Sequence, residues 1–373
     1  MSMSGIAPGA RVLVAMSGGV DSSVAAAILV EQGYDVVGVT MKTFCYTGTG
    51  DHGKSCCGLD GIIDARVVAE KLGIPHYIFN VEEDFTRDVI DDFVAEYAEG
   101  RTPNPCVRCN SNTKFRDLFE RGEALECEAI ATGHYVRVEH GPTGSHLLRG
   151  EDANKDQAYF LWGLPADLLS RLLFPLGSMT KPEVRERARE MGLVTAEKPE
   201  SQEICFVPSG NYRDLLEKRL PGRHPALEPG NIVRSDGEVL GEHGGYAGFT
   251  VGQRKGLPGG FAEPIFVIEV RAATREVVVG TRDELDVAGM EVAEANWHGP
   301  IPAVGDRVGV QIRHRAGSVD ADVVSLEGDR ITLAFVEPQR AVTPGQSAVM
   351  FSGEIVIGGG RIRRALSPSP VSS

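Results

Sequence analysis

Ala15-Met16-Ser17-Gly18-Gly19-Val20-Asp21-Ser22-Ser23 is the stretch that decides the fold. Before it runs Arg11-Val12-Leu13-Val14, an apolar run that reads as a buried strand. After it runs Val24-Ala25-Ala26-Ala27-Ile28-Leu29, which reads as a buried helix. Ser17, Gly18 and Gly19 therefore occupy a strand-to-helix turn. Glycines there let the backbone approach a ligand and aim its N–H groups at it. The following helix adds the positive end of its dipole, so the turn is an anion cradle. Ser17, Ser22 and Ser23 add donors. Asp21 either caps the helix or holds a magnesium ion.

The pattern S-G-G-V-D-S after a strand resembles the PP-loop of the ATP pyrophosphatase superfamily. That resemblance implies cleavage of ATP between its α and β phosphates and transfer of AMP to an oxygen. The turn has no Walker lysine, which suits adenylyl transfer better than γ-phosphoryl transfer.

The chain has 373 residues, 42% of them hydrophobic, which predicts two or three domains with substantial cores. Met1 to Ala10 has no positive region followed by an apolar core, and Val24 to Val30 is too short to span a bilayer. A cytoplasmic protein without membrane attachment is expected. Of seven cysteines, Cys45, Cys56 and Cys57 lie close together, which suggests functional thiols rather than a disulfide framework. A net charge of −14 argues against loose nucleic-acid binding. From Ile301 onward, however, eight arginines face seven acids. The C-terminal part is thus the expected dock for a polyanion, and its removal after about Asp286 is expected to spare ATP binding.

Strand and helix patterns alternate in the first half. Strands are expected at 35–41, 75–81 and 128–132, and helices at 62–72 and 85–97. This predicts a doubly wound parallel sheet with ligands at the carboxyl ends of its strands, where Ser17 and the turn Gly133-His134-Tyr135 can share a site. Further helices are expected at 181–191 and 212–219. After about Leu227 short β-like runs recur (266–270, 276–280, 307–312, 322–324, 331–335), as in a small sandwich or barrel. Ser367 to Ser373 reads as a disordered tail.

Gly48-Thr49-Gly50-Asp51-His52-Gly53-Lys54-Ser55 matches the Walker A pattern, but the surrounding loop is long and a nucleotide turn already exists. It reads as a surface loop. Asn104-Pro105-Cys106-Val107-Arg108-Cys109-Asn110 carries more information. Two prolines, Pro103 and Pro105, fix the backbone. With Asn110 or Ser111 as cap of the next helix, the cysteines would precede its N-terminus, where a thiolate is favoured. Nucleophile, metal ligand and plain turn residue all stay open. Cys205, between Ile204 and Phe206, reads on residue type as a buried core thiol.

S-G-G-V-D-S-S, N-P-C-V-R-C-N, A-T-G-H-Y, K-D-Q-A-Y-F-L-W, S-Q-E-I-C-F and G-Q-R-K-G-L occur in that order. From about Val12 to Gly359 the chain resembles the tRNA-specific 2-thiouridylases (the MnmA family). The resemblance implies a PP-loop catalytic domain (1–208), a small central tRNA-contacting domain (209–285) and a C-terminal β-barrel (286–366). The activity implied is ATP-dependent 2-thiolation of the wobble uridine in tRNA. ATP and Mg2+ are the implied cofactors, and the tRNA anticodon loop and a sulfur-donor protein or persulfide carrier the implied partners. Ala15, Met16, Ser17, Gly18, Gly19, Val20, Asp21, Ser22, Met41 and Gly133 match ATP contacts. Cys109 matches the nucleophile and Cys205 the persulfide carrier. Asn104, Pro105 and Cys106 match positions beside the target base. His134, Lys155, Asp156, Gln157, Arg313, His314 and Gln346 match positions that touch tRNA. Many members have Asp where this chain has Cys106. Related thiolating enzymes hold a [4Fe-4S] cluster on three cysteines, so Cys106, Cys109 and Cys205 are read as such a set, beside the persulfide route.

A uracil carbonyl is a poor electrophile, and adenylation turns its oxygen into part of a leaving group. An amide-forming PP-loop ligase, the first alternative, has no use for Cys109 and Cys205. A non-catalytic tRNA-binding or metal-sensor protein, the second, would not turn ATP over to AMP.

Overall fold

Strand β1 (Arg11–Ala15) alternates its side chains between two cores. Val12 and Val14 pack with the helices α1 (Val20–Glu31) and α2 (Leu59–Leu72), whereas Leu13 packs on the opposite face with Phe115 and Leu118. A strand covered on both faces must be apolar throughout, which is why this run shows no polar alternation. The computed structural model describes residues 6–43, 59–141, 144–200, 204–207 and 210–367. The Walker-like stretch, Cys45, Cys56, Cys57, residues 201–203 and all of the tail but Ser367 lie outside the described residues.

With β2 (Asp35–Lys42), β3 (His76–Asn80), β4 (Ala129–Ala131) and β7 (Leu172–Leu173), β1 forms a five-stranded sheet in the order β3-β2-β1-β4-β7. Every neighbouring pair is parallel. The order reverses between β1 and β4, and the ends of both strands open into the same crevice, where such sheets bind ligands.

The helix expected at 85–97 is broken. It runs as α3 (Glu82–Phe85), a π-helical turn (Thr86–Ile90) and α4 (Asp91–Ala98). The cysteine segment is built the same way: α5 (Pro105–Arg108), a π-turn (Cys109–Lys114) and α6 (Phe115–Ala124). The helix thus starts at Pro105, not at Asn110 or Ser111, because proline suits the first helical position. Cys106 and Cys109 lie inside the helix rather than before it.

The hairpin β5 (Val136–Gly141) and β6 (Gly144–Arg149) leaves the parallel sheet and joins the barrel. Helix α7 (Lys181–Glu190) returns to pack on α1, and α8 (Arg213–Arg219) leads to the central domain. There β8 (Gly230–Arg234), β9 (Val239–His243), β10 (Phe266–Arg271) and β11 (Glu276–Gly280) form a sheet in the order β10-β11-β8-β9.

The barrel comprises β12 (Asp286–Trp297), β13 (Arg307–Gln311), β14 (Val319–Glu327), β15 (Arg330–Arg340), β16 (Ser347–Ser352) and β17 (Ile355–Leu366). Antiparallel pairing of β12 with β17 closes it, which removes exposed edges. Strand β6 adds to β17 at Ile355–Leu148, and Val349, Phe351 and Val356 share one core with Leu13 and Val39. The barrel is therefore not a detachable dock. Its removal would strip part of the nucleotide domain's own core, so the packing argues against ATP binding surviving truncation.

Candidate active site

The phosphate turn is shaped by close backbone contacts. Gly18 has φ +73°, and a Cβ there would lie 2.1 Å from the Gly61 carbonyl oxygen of α2. Gly133, at the end of β4, lies so near the first turn of α1 that a Cβ would come within 2.8 Å of the Ser22 amide nitrogen. Only glycine fits either position. The Ser17 amide donates to Ser22 Oγ (3.1 Å), and the Ser22 and Ser23 hydroxyls donate to the Gly19 carbonyl at 3.1 and 2.9 Å. The hydroxyls thus fold the turn, while the amides of the first helical turn have no carbonyl four residues back. Met16 and Met41, buried at the ends of β1 and β2, floor the crevice.

Asp21 does not cap α1; Gly19 holds the cap position, with no side-chain bond. The Asp21 carboxylate instead accepts from the Tyr135 hydroxyl at 2.7 Å and from Lys181 Nζ at 2.7 and 2.8 Å. Burial and the Asp21 charge raise the Tyr135 phenol, keeping it a donor. Lys181 is buried and also reaches Glu200 (3.0 Å), which Lys155 holds from the other side at 2.6 Å. Burial works against the Glu200 charge, but the two lysines outweigh it and bring its pKa down to about 2. Lys198 Nζ donates to the Gly18 carbonyl (2.9 Å) and pairs with Asp64. Two lysines missing from the turn itself thus arrive from 160 and 180 residues away. Sequence reasoning missed both, and no local pattern marks them beyond Lys181 opening a helix beside Pro182.

Cys109 and Cys205 are half-buried and pack against one apolar cluster containing Phe85, Phe93 and Phe206. Phe206 sets its ring edge-on to Phe85 and Phe93, at 5.8 and 5.2 Å, which fixes the Cys205 turn. Cys205 is thus not the buried core thiol its neighbours suggest. Cys106 is exposed and lies outside that cluster. Among the described residues no group of three or more His, Cys, Asp or Glu side chains is placed to hold a metal. The three cysteines read as a cluster set are therefore not placed as one among the described residues: Cys106 is exposed, while Cys109 and Cys205 pack against the apolar cluster.

The other expected contacts fall into two groups. His134 bonds Thr132 Oγ1 (2.7 Å) and stacks on Phe115, and burial followed by the Lys114 charge holds its pKa well below the usual value. Asp156 accepts from Arg149 (2.7 Å) and from the Gly150 and Ala158 amides, and Gln157 accepts from the Tyr135 amide at 2.9 Å. Gln346 donates to the Thr102 and Pro103 carbonyls at 2.9 and 3.1 Å, just ahead of Asn104 and Pro105. These side chains brace the turns around the site. Arg313 differs: it lines a cleft of about 470 Å3 where all three domains meet, together with Thr102, Arg282 and Gln346. His314 lies against the Phe160 ring, at 4.4 Å.

Three family models cover the chain. The tRNA methyl transferase HUP domain matches residues 10–209, the tRNA methyl transferase PRC-barrel domain 214–281, and the aminomethyltransferase beta-barrel domain 287–362. The tRNA-specific 2-thiouridylase MnmA of Geobacter metallireducens is 47% identical over 96% of this chain and 98% of its own length. Its namesake from Carboxydothermus hydrogenoformans is 47% identical over 95% of this chain and 98% of its own. The chain belongs to the MnmA family. The namesake from Geotalea uraniireducens is 48% identical over 96% of both chains, so the likeness spans all three domains. The HUP model's description speaks of methyl transfer, the relatives' names of thiolation.

Proposed function

We propose that this chain replaces O2 of the wobble uridine in tRNA with sulfur, at the expense of ATP, which leaves as AMP and pyrophosphate. The observation that carries the reading is the placement of Cys109 and Cys205 on one apolar cluster, in a chain that also carries the phosphate turn. Methyl transfer and amide ligation have no use for such a pair.

In this reading uracil O2 attacks the α-phosphorus and pyrophosphate departs toward the amides of Gly18 to Asp21. Preorganised donors stabilise that departing charge without reorganising. Lys181 and Lys198 exchange their carboxylate and carbonyl partners for phosphate oxygens. Magnesium, when bound with ATP, offsets phosphate charge, and Asp21 is the carboxylate at hand. The terminal sulfur of a Cys205 persulfide then attacks C2 and AMP leaves. Cys109 thiolate attacks Cys205 Sγ, the thiolated base departs, and a Cys109–Cys205 disulfide remains for an external thiol to reduce. Electrons balance, since the sulfane sulfur gains the pair that the two cysteines lose. No step is routed through a cluster, since Cys106 is exposed and lies outside the apolar cluster that Cys109 and Cys205 pack against.

The target base must leave its stack, which costs less in a single-stranded loop than in a duplex. The partners of this reading are a tRNA anticodon loop and a persulfide-carrying donor, and the compartment is the cytoplasm. Among the described residues no helix is long and apolar enough to cross a membrane. Incubation with ATP, unmodified tRNA and a persulfide donor, followed by nucleoside mass spectrometry, tests the reading: it expects 2-thiouridine with equimolar AMP. AMP without 2-thiouridine would contradict it.

A further inference from the structure

Arg108 immediately precedes Cys109, and its guanidinium spans two domains. It contacts Asp92 of α4 at 3.0 Å and Glu294 of the barrel strand β12 at 2.9 Å. Arg361 of β17 completes the lattice, reaching Asp92 (2.9 Å), Glu96 (2.8 Å) and Glu294 (3.3 Å). Arg101 pairs with Glu96 from below. Arg361 and Glu96 keep only 10% and 6% of their side-chain surface, so that end of the lattice is shielded from water, whereas Arg108 and Glu294 keep 26% and 43%. Removing one partner from such a set leaves an uncompensated charge, which makes the arrangement resistant to displacement. The same barrel holds the chain ahead of the helix: the Thr102 amide donates to the Pro344 carbonyl at 2.8 Å, beside the Gln346 bonds. Between the grips lies a cavity of about 160 Å3 lined by Asn104, Arg108, Ser111, Glu294, Asn296 and Arg361. The face of the cysteine helix away from Cys106 and Cys109 is therefore carried by the barrel.

We infer that Arg361 and Glu294 are positioning residues for the Cys109 thiol, acting through Arg108, so that the barrel sets the sulfur-transfer geometry. This rests on the reading of Cys109 as nucleophile. The ion lattice does not touch the phosphate turn, and its side chains pair with one another rather than with the side chains of the expected tRNA contacts, although Glu294 and Arg361 share a cavity with Asn104. Its loss should therefore separate sulfur transfer from adenylation.

The test uses full-length Glu294→Gln and Arg361→Lys. Glu294 is partly exposed, so its neutral isostere leaves no buried charge of its own, and Arg361→Lys keeps the charge while losing the planar fork. Four quantities are read: tRNA Kd, AMP formed, 2-thiouridine per AMP, and the pH profile of Cys109 alkylation by iodoacetamide followed by peptide mass spectrometry. The expected result is tRNA Kd and AMP formation within about twofold of the parent, with 2-thiouridine per AMP down about tenfold or more, since small misplacements of reacting atoms cost that much. The Cys109 alkylation profile shifts in both variants. Parent-like ratios and profiles in both variants would overturn the inference. So would a lower Tm with AMP and 2-thiouridine falling in proportion, which marks a merely structural role. If the parent itself made no 2-thiouridine, the functional reading would fail, and the alkylation profile would still decide the positioning claim.

Discussion

Lys181 Nζ lies 2.7 Å from Asp21 Oδ1, bridging the start of α7 to the first turn of α1 across 160 residues of sequence. A turn without its own lysine thus has one within reach, held by Asp21 and Glu200. Lys181→Met should lower tRNA-dependent AMP formation by about 10²-fold, the scale of losing one preorganised charge at a transferring phosphate. Lys181→Arg should recover part of it. Thermal melts check that the loss is not unfolding, and AMP formation at the parent rate in Lys181→Met would refute the assignment.

The ion pairs of Glu200 carry a defined pH signature. Its folded pKa of about 2 lies below the ordinary 4.5. A depressed carboxylate stabilises above its unfolded pKa and loses that contribution as pH falls through the folded value. Glu200→Gln should therefore melt below the parent at neutral pH, with the gap closing between about pH 4.5 and 2. A gap constant across that range would show that the lysines do not act on a charged Glu200.

Phe351 sits in β16 yet shares a core with Leu13, and the Arg149 guanidinium lies 3.6 Å from its ring centroid. Phe351→Ala should cost about 3–5 kcal/mol in urea unfolding. It should lower the melting of the nucleotide domain with that of the barrel, in one transition. An early transition that leaves ATP binding intact would show the barrel to be separable after all.

How much of this was legible in the sequence depends on how local the cause is. The turn at Ser17 to Asp21 is legible because phosphate binding constrains consecutive backbone positions. The π-turns at Thr86 and Cys109 are not, because a single extra residue in a helix leaves the apolar pattern nearly unchanged. Hairpin 136–149 was missed for a different reason. It pairs through Leu148 with Ile355, more than 200 residues on, and nothing near it announces a barrel. Lys181 and Lys198 are silent likewise, since a charged residue at a helix start or in a loop reads as solvated surface. The motif marks the cysteines, but a cap at Asn110 or Ser111 places the thiols before a helix that already begins at Pro105.

Cys106, being exposed and apart from the Cys109–Cys205 cluster, should tolerate serine. Cys106→Ser, prepared anaerobically, should keep thiolation within about threefold of the parent, a surface-like effect. Iron and sulfide analysis of the parent accompanies it. Joint loss of iron and activity in the variant would restore the three-cysteine cluster.

The most direct test is a single turnover without reductant. The enzyme is loaded with one persulfide, mixed with ATP and unmodified tRNA, quenched with acid and mapped by peptide mass spectrometry. The account predicts one 2-thiouridine per loaded enzyme and a Cys109–Cys205 disulfide formed in the same amount. A thiolated tRNA recovered with Cys109 and Cys205 both still alkylatable would contradict it.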